Sequence, residues 1–319
     1  MIHHGSGECP HYVFSYLEME TQGNFIIRRA ISLDDLQWVL KRTTEESWMT
    51  GAKDAECYFS AGLTNDFFIG ELNGERISCI GMVRHGNSLA FVGFFVVVEQ
   101  FRGKGYGLKT WKAAFADISE ECEVQLVAVL DMQDRYEKIG FQPGWIVTRF
   151  KFSATRALES LSSCRTDVRI FSAKKANFEE LFTYSVDMMV SSQTCKSVLA
   201  SWLSYAQESS WVAVNDEGKI VGYLIMSKTS RFPEEGYRVA PFFASSAVIA
   251  QSLLKTAVEF AIPNKPEFIF LDATPDLNSD SLNLMEEVGA DRVVDYIFMG
   301  TKGIPKLAHE KVFGMEIYC

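Results

Sequence analysis

The order of predicted secondary-structure elements most limits how this chain can fold, because that order occurs twice. From Phe25 onward the hydrophobic pattern predicts a strand, a helix, a hairpin, a strand, a helix, a strand, a helix and a last strand. The same order restarts near Val168. Asn73 and Gly74, between two apolar runs, mark the first hairpin. Since the halves share little residue identity, the repeat lies in the order of elements and predicts two tandem α/β units.

The length of the chain agrees with this repeat. A chain of 319 residues exceeds the usual size of one compact domain, so two domains are expected. A polar stretch rich in serine and threonine predicts a linker between them. We divide the chain into an N-terminal lead (1–24), a first domain (25–152), the linker (153–166) and a second domain (167–319).

The composition argues against several classes of protein. The net charge is −10 and the isoelectric point is about 5.1, so neither a nucleic acid nor an anionic membrane is an expected partner. The seven cysteines are scattered and form no C-x-x-C pair, which argues against a disulfide framework and a zinc site. The sequence shows no signal peptide and no apolar run of the roughly 20 residues that span a bilayer. We therefore expect a soluble cytoplasmic protein without a metal.

A glycine-rich segment at residues 102–107 lies between a predicted buried strand and a predicted amphipathic helix. Glycine lets the backbone come close to a ligand, and the start of a helix offers unpaired N–H groups and a positive dipole end. A pyrophosphate fits such a place. A tight turn without a ligand is the alternative, but it requires neither three glycines nor four cations. The cations are Arg102, Lys104, Lys109 and Lys112.

The spacing of these glycines decides which phosphate ligand fits. The G-x-x-x-x-G-K-[ST] spacing of a Walker loop is absent, and a G-x-G-x-x-G fingerprint would need glycine at Leu108 or Thr110. The Arg-x-x-Gly-x-Gly spacing is present at Arg102, Gly105 and Gly107, and it resembles the pyrophosphate loop of the GNAT N-acetyltransferases. A second motif, YEKIGF at residues 136–141, resembles the Tyr-Glu-Lys-hydrophobic-Gly-Phe segment of the same family.

The resemblance implies a fold and a cosubstrate. GNAT domains are α/β (α+β) folds in which a mixed, mostly antiparallel sheet is flanked by helices, and two of them in tandem are expected here. The implied cosubstrate is acetyl-CoA, whose pyrophosphate is held by the loop amides and whose pantetheine arm pairs with the preceding strand. The residues that the resemblance assigns to this binding are Val96, Val97, Arg102, Gly103, Lys104, Gly105, Tyr106 and Gly107.

The second half resembles a narrower group, the YitH-like tandem acetyltransferases. The resemblance rests on residues 237–244 and 271–275, on the Tyr296-x-x-Met299-Gly300 strand and on residues 311–314. In that group the second GNAT unit lacks a glycine loop, and residues 242–246 likewise contain no glycine. The resemblance implies that the second half shapes the acceptor pocket or supports the fold and binds no coenzyme A.

Acyl transfer to an amine requires an acid for the leaving thiolate and removal of a proton from the amine. By resemblance Tyr136 is the candidate general acid, with simple packing as the alternative role. The base stays open, because the strand at residues 91–98 contains no carboxylate. Asp131 is a weak candidate, Glu99 and His85 are expected to be exposed, and water-mediated deprotonation is an equal alternative.

The expected activity is direct acetyl transfer from acetyl-CoA to the primary amine of a small molecule or amino acid, with a peptide as the second choice. A non-catalytic acyl-CoA-binding or sensor protein is the alternative from another class. The missing carboxylate on the strand before the glycine-rich segment motivates that alternative.

Overall fold

The computed structural model describes residues 23–164, 167–189, 192–230 and 236–315. Its strands are β1 (Phe25–Arg29), β2 (Phe67–Leu72), β3 (Glu75–His85), β4 (Leu89–Val97), β5 (Glu123–Val129), β6 (Gln142–Phe152), β7 (Arg169–Ser172), β8 (Ser210–Val214), β9 (Ile220–Lys228), β10 (Gly236–Ala244), β11 (Phe268–Ala273), β12 (Asp291–Gly300) and β13 (Val312–Gly314). Its helices are α1 (Leu33–Glu45), α2 (Asp54–Ser60), α3 (Tyr106–Phe115), α4 (Gln133–Glu137), α5 (Ala154–Ser160), α6 (Phe178–Ser185), α7 (Gln193–Tyr205), α8 (Ala247–Ala261) and α9 (Ser279–Glu287). Among these described helices, none is both long and apolar enough to cross a membrane.

The predicted order of elements is confirmed in both halves. β1, α1, α2, β2, β3, β4, α3, β5, α4 and β6 follow one another, and β7, α6, α7, β8, β9, β10, α8, β11, α9 and β12 repeat them. The hairpin turn has φ of 52° at Asn73 and 86° at Gly74, as a tight two-residue hairpin requires. Ser32 and Asn177 cap α1 and α6 through side chains that accept backbone N–H bonds. Local sequence signals therefore start and end the main elements.

The described strands form one continuous sheet, and its centre is an exchange of strands between the halves. The order is β1-β2-β3-β4-β5-β12-β6-β11-β10-β9-β8-β7, with β13 added to β10. Neighbours are antiparallel except for β4–β5 and β10–β11, as expected for a mixed, mostly antiparallel sheet. β12 of the second half pairs with β5 of the first, β6 of the first half pairs with β11 of the second, and β6 pairs with β12. Through this exchange, the backbone groups at the inner edge of each half-sheet hydrogen-bond to a strand of the other half.

The segment predicted as a linker, residues 153–166, belongs to the packed structure where it is described. Ala154–Ser160 forms α5, and a 3-10 turn follows at Leu161–Ser163. Ala157 and Leu161 are fully buried in an apolar cluster that also contains side chains of α8. Serines and threonines give this segment a linker-like composition, although its few apolar residues share one helix face. The division into domains stays a prediction.

Helices cover both faces of each half. On one face α1 and α2 pack with α7, and their cluster includes Leu36, Tyr58 and Trp202. On the opposite face α3 covers the first half through Trp111, and α8 covers the second half through Leu254. The first of these clusters spans both halves, so side-chain packing joins them in addition to the exchanged strands.

Candidate active site

A cavity of about 790 Å³ lies against the middle of the sheet. It begins at the glycine loop, which we define as residues 102–107, and reaches across the central strands into the second half. Val96 and Tyr136 of the first half line it, as do Arg238, Asp272 and Tyr296 of the second half. Both halves therefore build one pocket, and its volume is typical of a small-molecule binding site.

The glycine loop has the conformation that its sequence predicts. Gly103 and Gly105 have φ of 74° and 81°, which other residues rarely adopt, and Gly105 is the N-cap of α3. A Cβ atom on Gly107 would lie 2.9 Å from Cγ2 of Val97, so only glycine fits there without a shift. α3 starts at Tyr106, and its positive dipole end faces the cavity.

Beyond the loop the cavity continues between two strands that separate. β4 and β5 pair in parallel over Leu89–Val92, and their pairing ends there. β4 then has an irregularity at Phe94, whose φ is 54° and whose ring packs against Phe67 and Tyr58 at 5.3 and 5.7 Å. We call the gap that follows the first-half slot. It is lined by Val96, Val97, Ala128 and Val129.

The two cations of the loop have different surroundings. Arg102 lines the cavity, where Nε donates to the carbonyl oxygen of Val97 at 2.8 Å and Nη2 binds the carboxylate of Glu46. Lys104 is exposed and donates to the carbonyl oxygen of Gln100 at 2.9 Å. Arg102 is therefore positioned toward the cavity and already holds one anionic group.

Tyr136 lies at the slot, and Asp131 does not. The Tyr136 ring packs against Trp111 and Phe141 with centroids 5.8 Å apart in each case, and it lines the cavity. Burial raises the pKa of Tyr136 to about 12, so its hydroxyl keeps its proton at neutral pH and can donate it. Asp131 is exposed in the short turn after β5 and is not part of the cavity lining.

The expectation of an exposed His85 is wrong. β3 extends to His85, and the side chain is buried. Its Nδ1 lies 2.9 Å from Oγ of Ser192 and 3.6 Å from Sγ of Cys195 in the second half. His85 therefore serves the contact between the halves and lies outside the cavity lining, whereas Glu99 is exposed as expected.

The far end of the cavity holds four charged residues that the sequence did not predict for the site. Arg149 binds Asp272 through Nε and Nη2 at 2.7 and 2.6 Å. Arg238 binds Asp54 through Nη1 and Nη2 at 3.0 and 3.1 Å. The four side chains are between 4% and 12% exposed, and all line the cavity. We call them the four-charge cluster. Charged residues inside apolar strands were the available signal for Arg149, Arg238 and Asp272, because such residues are rarely buried without a role. Asp54 is the first residue of α2 and carried no such signal.

The cluster is strongly ionic. Burial alone lowers the pKa of Arg149, but the carboxylate of Asp272 more than offsets this, and the pKa stands above its ordinary value. The cavity carboxylates of Asp54, Asp272 and Glu46 each bind an arginine, so their negative charges are compensated. Among the described residues, no cluster of three or more histidine, cysteine or acidic side chains could hold a metal.

The second half has a corresponding gap, which the chain itself fills. β10 and β11 pair in parallel only over Gly236–Val239, and β13 then pairs with β10 at Phe242 and Phe243. The backbone N–H of Met315 donates to the carbonyl oxygen of Asp272 on β11 at 2.7 Å. We call this gap the second-half slot. The turn into α8 that follows β10 contains Ser245 and Ser246 in place of glycines.

Two family models match the chain, one in each half. The model described as "Acetyltransferase (GNAT) family" matches residues 33–141. The model described as "Acetyltransferase (GNAT) domain" matches residues 184–314. The glycine loop falls within the first match, and residues 311–314 of the terminal strand fall within the second.

Individual relatives agree with these matches over most of the chain. A Pseudoalteromonas protein named "Holothin acyltransferase" is 23% identical over 262 residues, which cover 82% of this chain and 83% of the relative. A structure from Pyrococcus horikoshii, described as that of a candidate acetyltransferase, has a TM-score of 0.68 at 14% identity and covers 99% of both chains. A tandem GNAT protein from the clavulanic acid biosynthesis pathway has a TM-score of 0.62 at 14% identity, over 88% of this chain and 99% of the other. These structural likenesses show a shared tandem fold.

Proposed function

Because the chain belongs to the GNAT superfamily through both of its halves, we propose that it is an acetyl-CoA-dependent N-acyltransferase. The acyl group passes from the thioester to the primary amine of a small molecule. The observation that carries this proposal is the open first-half slot, which connects the glycine loop to Tyr136 and to the four-charge cluster. The name of the Pseudoalteromonas relative, an acyltransferase, supports the same class.

The residues of the first half fit the cosubstrate. Gly103 and Gly105 have the positive φ that lets backbone amides come close to a pyrophosphate, and Gly107 lets the start of α3 pack on Val97. The start of α3 and Arg102 supply positive charge there. Val96 and Val97 lie along the slot beyond the end of the β4–β5 pairing, where an extended pantetheine arm can hydrogen-bond to the strand. Lys104 and Tyr106 belong to the loop, Lys104 as an exposed charge and Tyr106 as a buried ring against Phe101.

The reaction requires one bond to form and one to break. The amine nitrogen attacks the thioester carbonyl carbon, the new C–N bond forms, and the C–S bond breaks to release the thiolate of coenzyme A. Tyr136 donates its proton to this thiolate, and the proton that the amine loses restores the hydroxyl through water. The enzyme returns to its starting state, and the products are an amide and free coenzyme A.

The experiment that tests this proposal is a screen of primary amines with acetyl-CoA as the donor. Release of coenzyme A is followed with a thiol reagent, and the acetylated product is identified by mass. We expect turnover of at least one amine with a product that is heavier by one acetyl group. Tight binding of acetyl-CoA with no turnover of any amine would instead favour the non-catalytic acyl-CoA sensor.

A further inference from the structure

The four-charge cluster is built from both halves at the end of the cavity opposite the glycine loop. Arg149 on β6 and Asp272 on β11 are directly opposite residues in the register of two neighbouring strands. Arg238 comes from β10, and Asp54 is the first residue of α2. The exchange of central strands places these residues together in one cavity wall.

Arg149 keeps hydrogen-bonding capacity that Asp272 does not use. Its two bonds to Asp272 involve Nε and Nη2 along one edge of the guanidinium plane. The edge formed by Nη1 and Nη2 is the second edge at which arginine can bind a carboxylate in a bidentate manner. Within the described parts of the chain, the guanidinium of Arg149 makes no further hydrogen bond. Its Cζ atom lies over the ring of Tyr296, 5.2 Å from the ring centroid.

The two guanidinium groups also lie close enough to repel each other. The charge of Arg238 acts to lower the pKa of Arg149, although Asp272 dominates the balance. Their carboxylate partners lie on different elements, α2 for Asp54 and β11 for Asp272. Two neighbouring guanidinium groups in a mostly apolar cavity attract an anionic group, because it relieves their repulsion.

The walls next to the cluster come from large apolar side chains. Trp48 and Met49 belong to the segment between α1 and α2, and Met315 follows β13. This segment is fixed to the second half, because the N–H of Ala52 donates to the carbonyl oxygen of Lys228 at 2.7 Å. Apolar walls strengthen a charged contact because they exclude water from it.

We propose that the acceptor is a small amine that carries a carboxylate, and that the carboxylate binds at Arg149 and Arg238 while the amine points toward the first-half slot. This rests on the proposed function. The cluster itself has two positive and two negative charges, so a zwitterionic acceptor adds no net charge to a buried site. A plain ammonium would instead add one uncompensated positive charge to the same buried site.

The test compares matched acceptors with and without the carboxylate, at rates expressed per unprotonated amine because the amine of an amino acid amide has the lower pKa. Each standard amino acid and its carboxamide is supplied with acetyl-CoA, and kcat/KM is measured from release of coenzyme A. A carboxylate–guanidinium contact contributes about 2 kcal/mol, so the best acid is expected to exceed its amide by about 30-fold. Equal rates for acids and amides would leave the proposed function standing and overturn the carboxylate site. No turnover in either set, while another primary amine is acetylated, would overturn this inference alone. No turnover of any primary amine would overturn the proposed function, and this inference with it.

Variants separate binding of the carboxylate from support of the fold. The double variant Arg149→Gln with Asp272→Asn removes the pair without leaving an unpaired buried charge, and the acid-to-amide ratio is expected to fall below about 3. Arg149→Lys keeps the charge but loses the second edge, so an intermediate ratio is expected.

Arg84 and Asp66 form a similar pair outside the cavity at 2.8 Å, and Arg84→Gln with Asp66→Asn should leave the ratio unchanged. A cavity double variant that keeps the wild-type ratio would show that the pair only supports the fold.

Discussion

The first half keeps the gap between β4 and β5 open, whereas the second half closes the gap between β10 and β11 with its own β13. Both gaps begin where a short parallel pairing ends, after Val92 in one half and after Val239 in the other. In the second half β13 bonds to β10, and Met315 bonds to β11. In the first half, an extended ligand can therefore hydrogen-bond to a free strand edge. In the second half, the chain's own β13 makes those hydrogen bonds.

The comparison explains why a repeated fold does not imply a repeated function. In the second-half slot the side chains of Val312 and Phe313 are each only 1% exposed. The loop after β10 also lacks the glycines that bring amides close to a pyrophosphate. Two independent features therefore separate the halves, and each can be altered by itself.

The largest expected effect comes from a carboxylate in the glycine loop. Gly105→Glu brings a negative charge to the pyrophosphate position and a side chain to a φ of 81°, so affinity for acetyl-CoA should fall by on the order of 10³-fold or more. Isothermal calorimetry on protein with an unchanged circular dichroism spectrum measures this loss. The matched change in the second half, Ser245→Glu at an exposed position, should leave the affinity as it is. Unchanged affinity in folded Gly105→Glu would remove the glycine loop from the site.

The next effect concerns the side chain that fills the second-half slot. Phe313→Ala removes a buried ring that packs on Phe242 at 5.6 Å, and the free energy of unfolding should fall by about 3–5 kcal/mol. Urea denaturation measures the change, and Ile304→Ala at a 39% exposed position serves as the control. Acetyl-CoA should still bind at one equivalent per chain, because the second half has no glycine loop. Two equivalents would mean that β13 alone blocks a second site.

A smaller effect on catalysis is expected at Tyr136. Tyr136→Phe removes the proton donor while its ring packing remains, so turnover should fall by about 100-fold with nearly unchanged affinity for acetyl-CoA. Steady-state rates together with calorimetry test this separation, and Tyr205→Phe, at a 46% exposed tyrosine outside the cavity, is the control. Wild-type turnover in Tyr136→Phe would mean that Tyr136 has only a packing role.

The raised pKa of Tyr136 also predicts a pH dependence. A tyrosine in an unfolded chain has a pKa of about 10, whereas burial raises the pKa of Tyr136 to about 12 in the folded protein. The stability that comes from this protonated hydroxyl is present below pH 10 and is lost as the pH rises toward 12. Urea denaturation at pH 9 and pH 11 should therefore show a smaller loss of stability in Tyr136→Phe than in the wild type. An identical loss in both proteins would contradict the assignment.

The smallest expected effect concerns the partner of Arg102. Glu46→Gln removes a carboxylate that occupies this guanidinium in the absence of coenzyme, so affinity for acetyl-CoA should rise by about 2- to 5-fold. Calorimetry at low salt shows the gain, and at high salt the gain should shrink because both side chains are partly exposed. Glu45→Gln, next to it in the chain, should have no such effect. A loss of affinity in Glu46→Gln would mean that Glu46 orients Arg102 for the ligand.

Local signals made the glycine-loop end of the cavity predictable. The glycines at 103, 105 and 107 encode a backbone shape, and the apolar periodicity after them encodes α3, so the loop could be placed before its fold was known. Tyr136 followed from a contiguous six-residue motif. Asp131 was chosen by its position at a strand end, and position alone did not decide whether its side chain faced the cavity.

The four-charge cluster could not be predicted in this way, because it depends on contacts between distant parts of the chain. Arg149 and Asp272 are separated by 123 positions, and Asp54 and Arg238 by 184. No spacing rule connects such residues. His85 was misplaced for a related reason: its partners Ser192 and Cys195 belong to the other half, and only tertiary packing buries it.

By itself the sequence determined the repeated order of elements, the glycine loop and the absence of that loop in the second half, since short-range backbone preferences and periodicity specify these features. Only the tertiary structure decided that β6 and β12 change places, that β13 fills the second-half slot and that four charges meet in one cavity. Strand pairing depends on which edges remain open once the chain is compact, and an isolated strand sequence does not specify its neighbour.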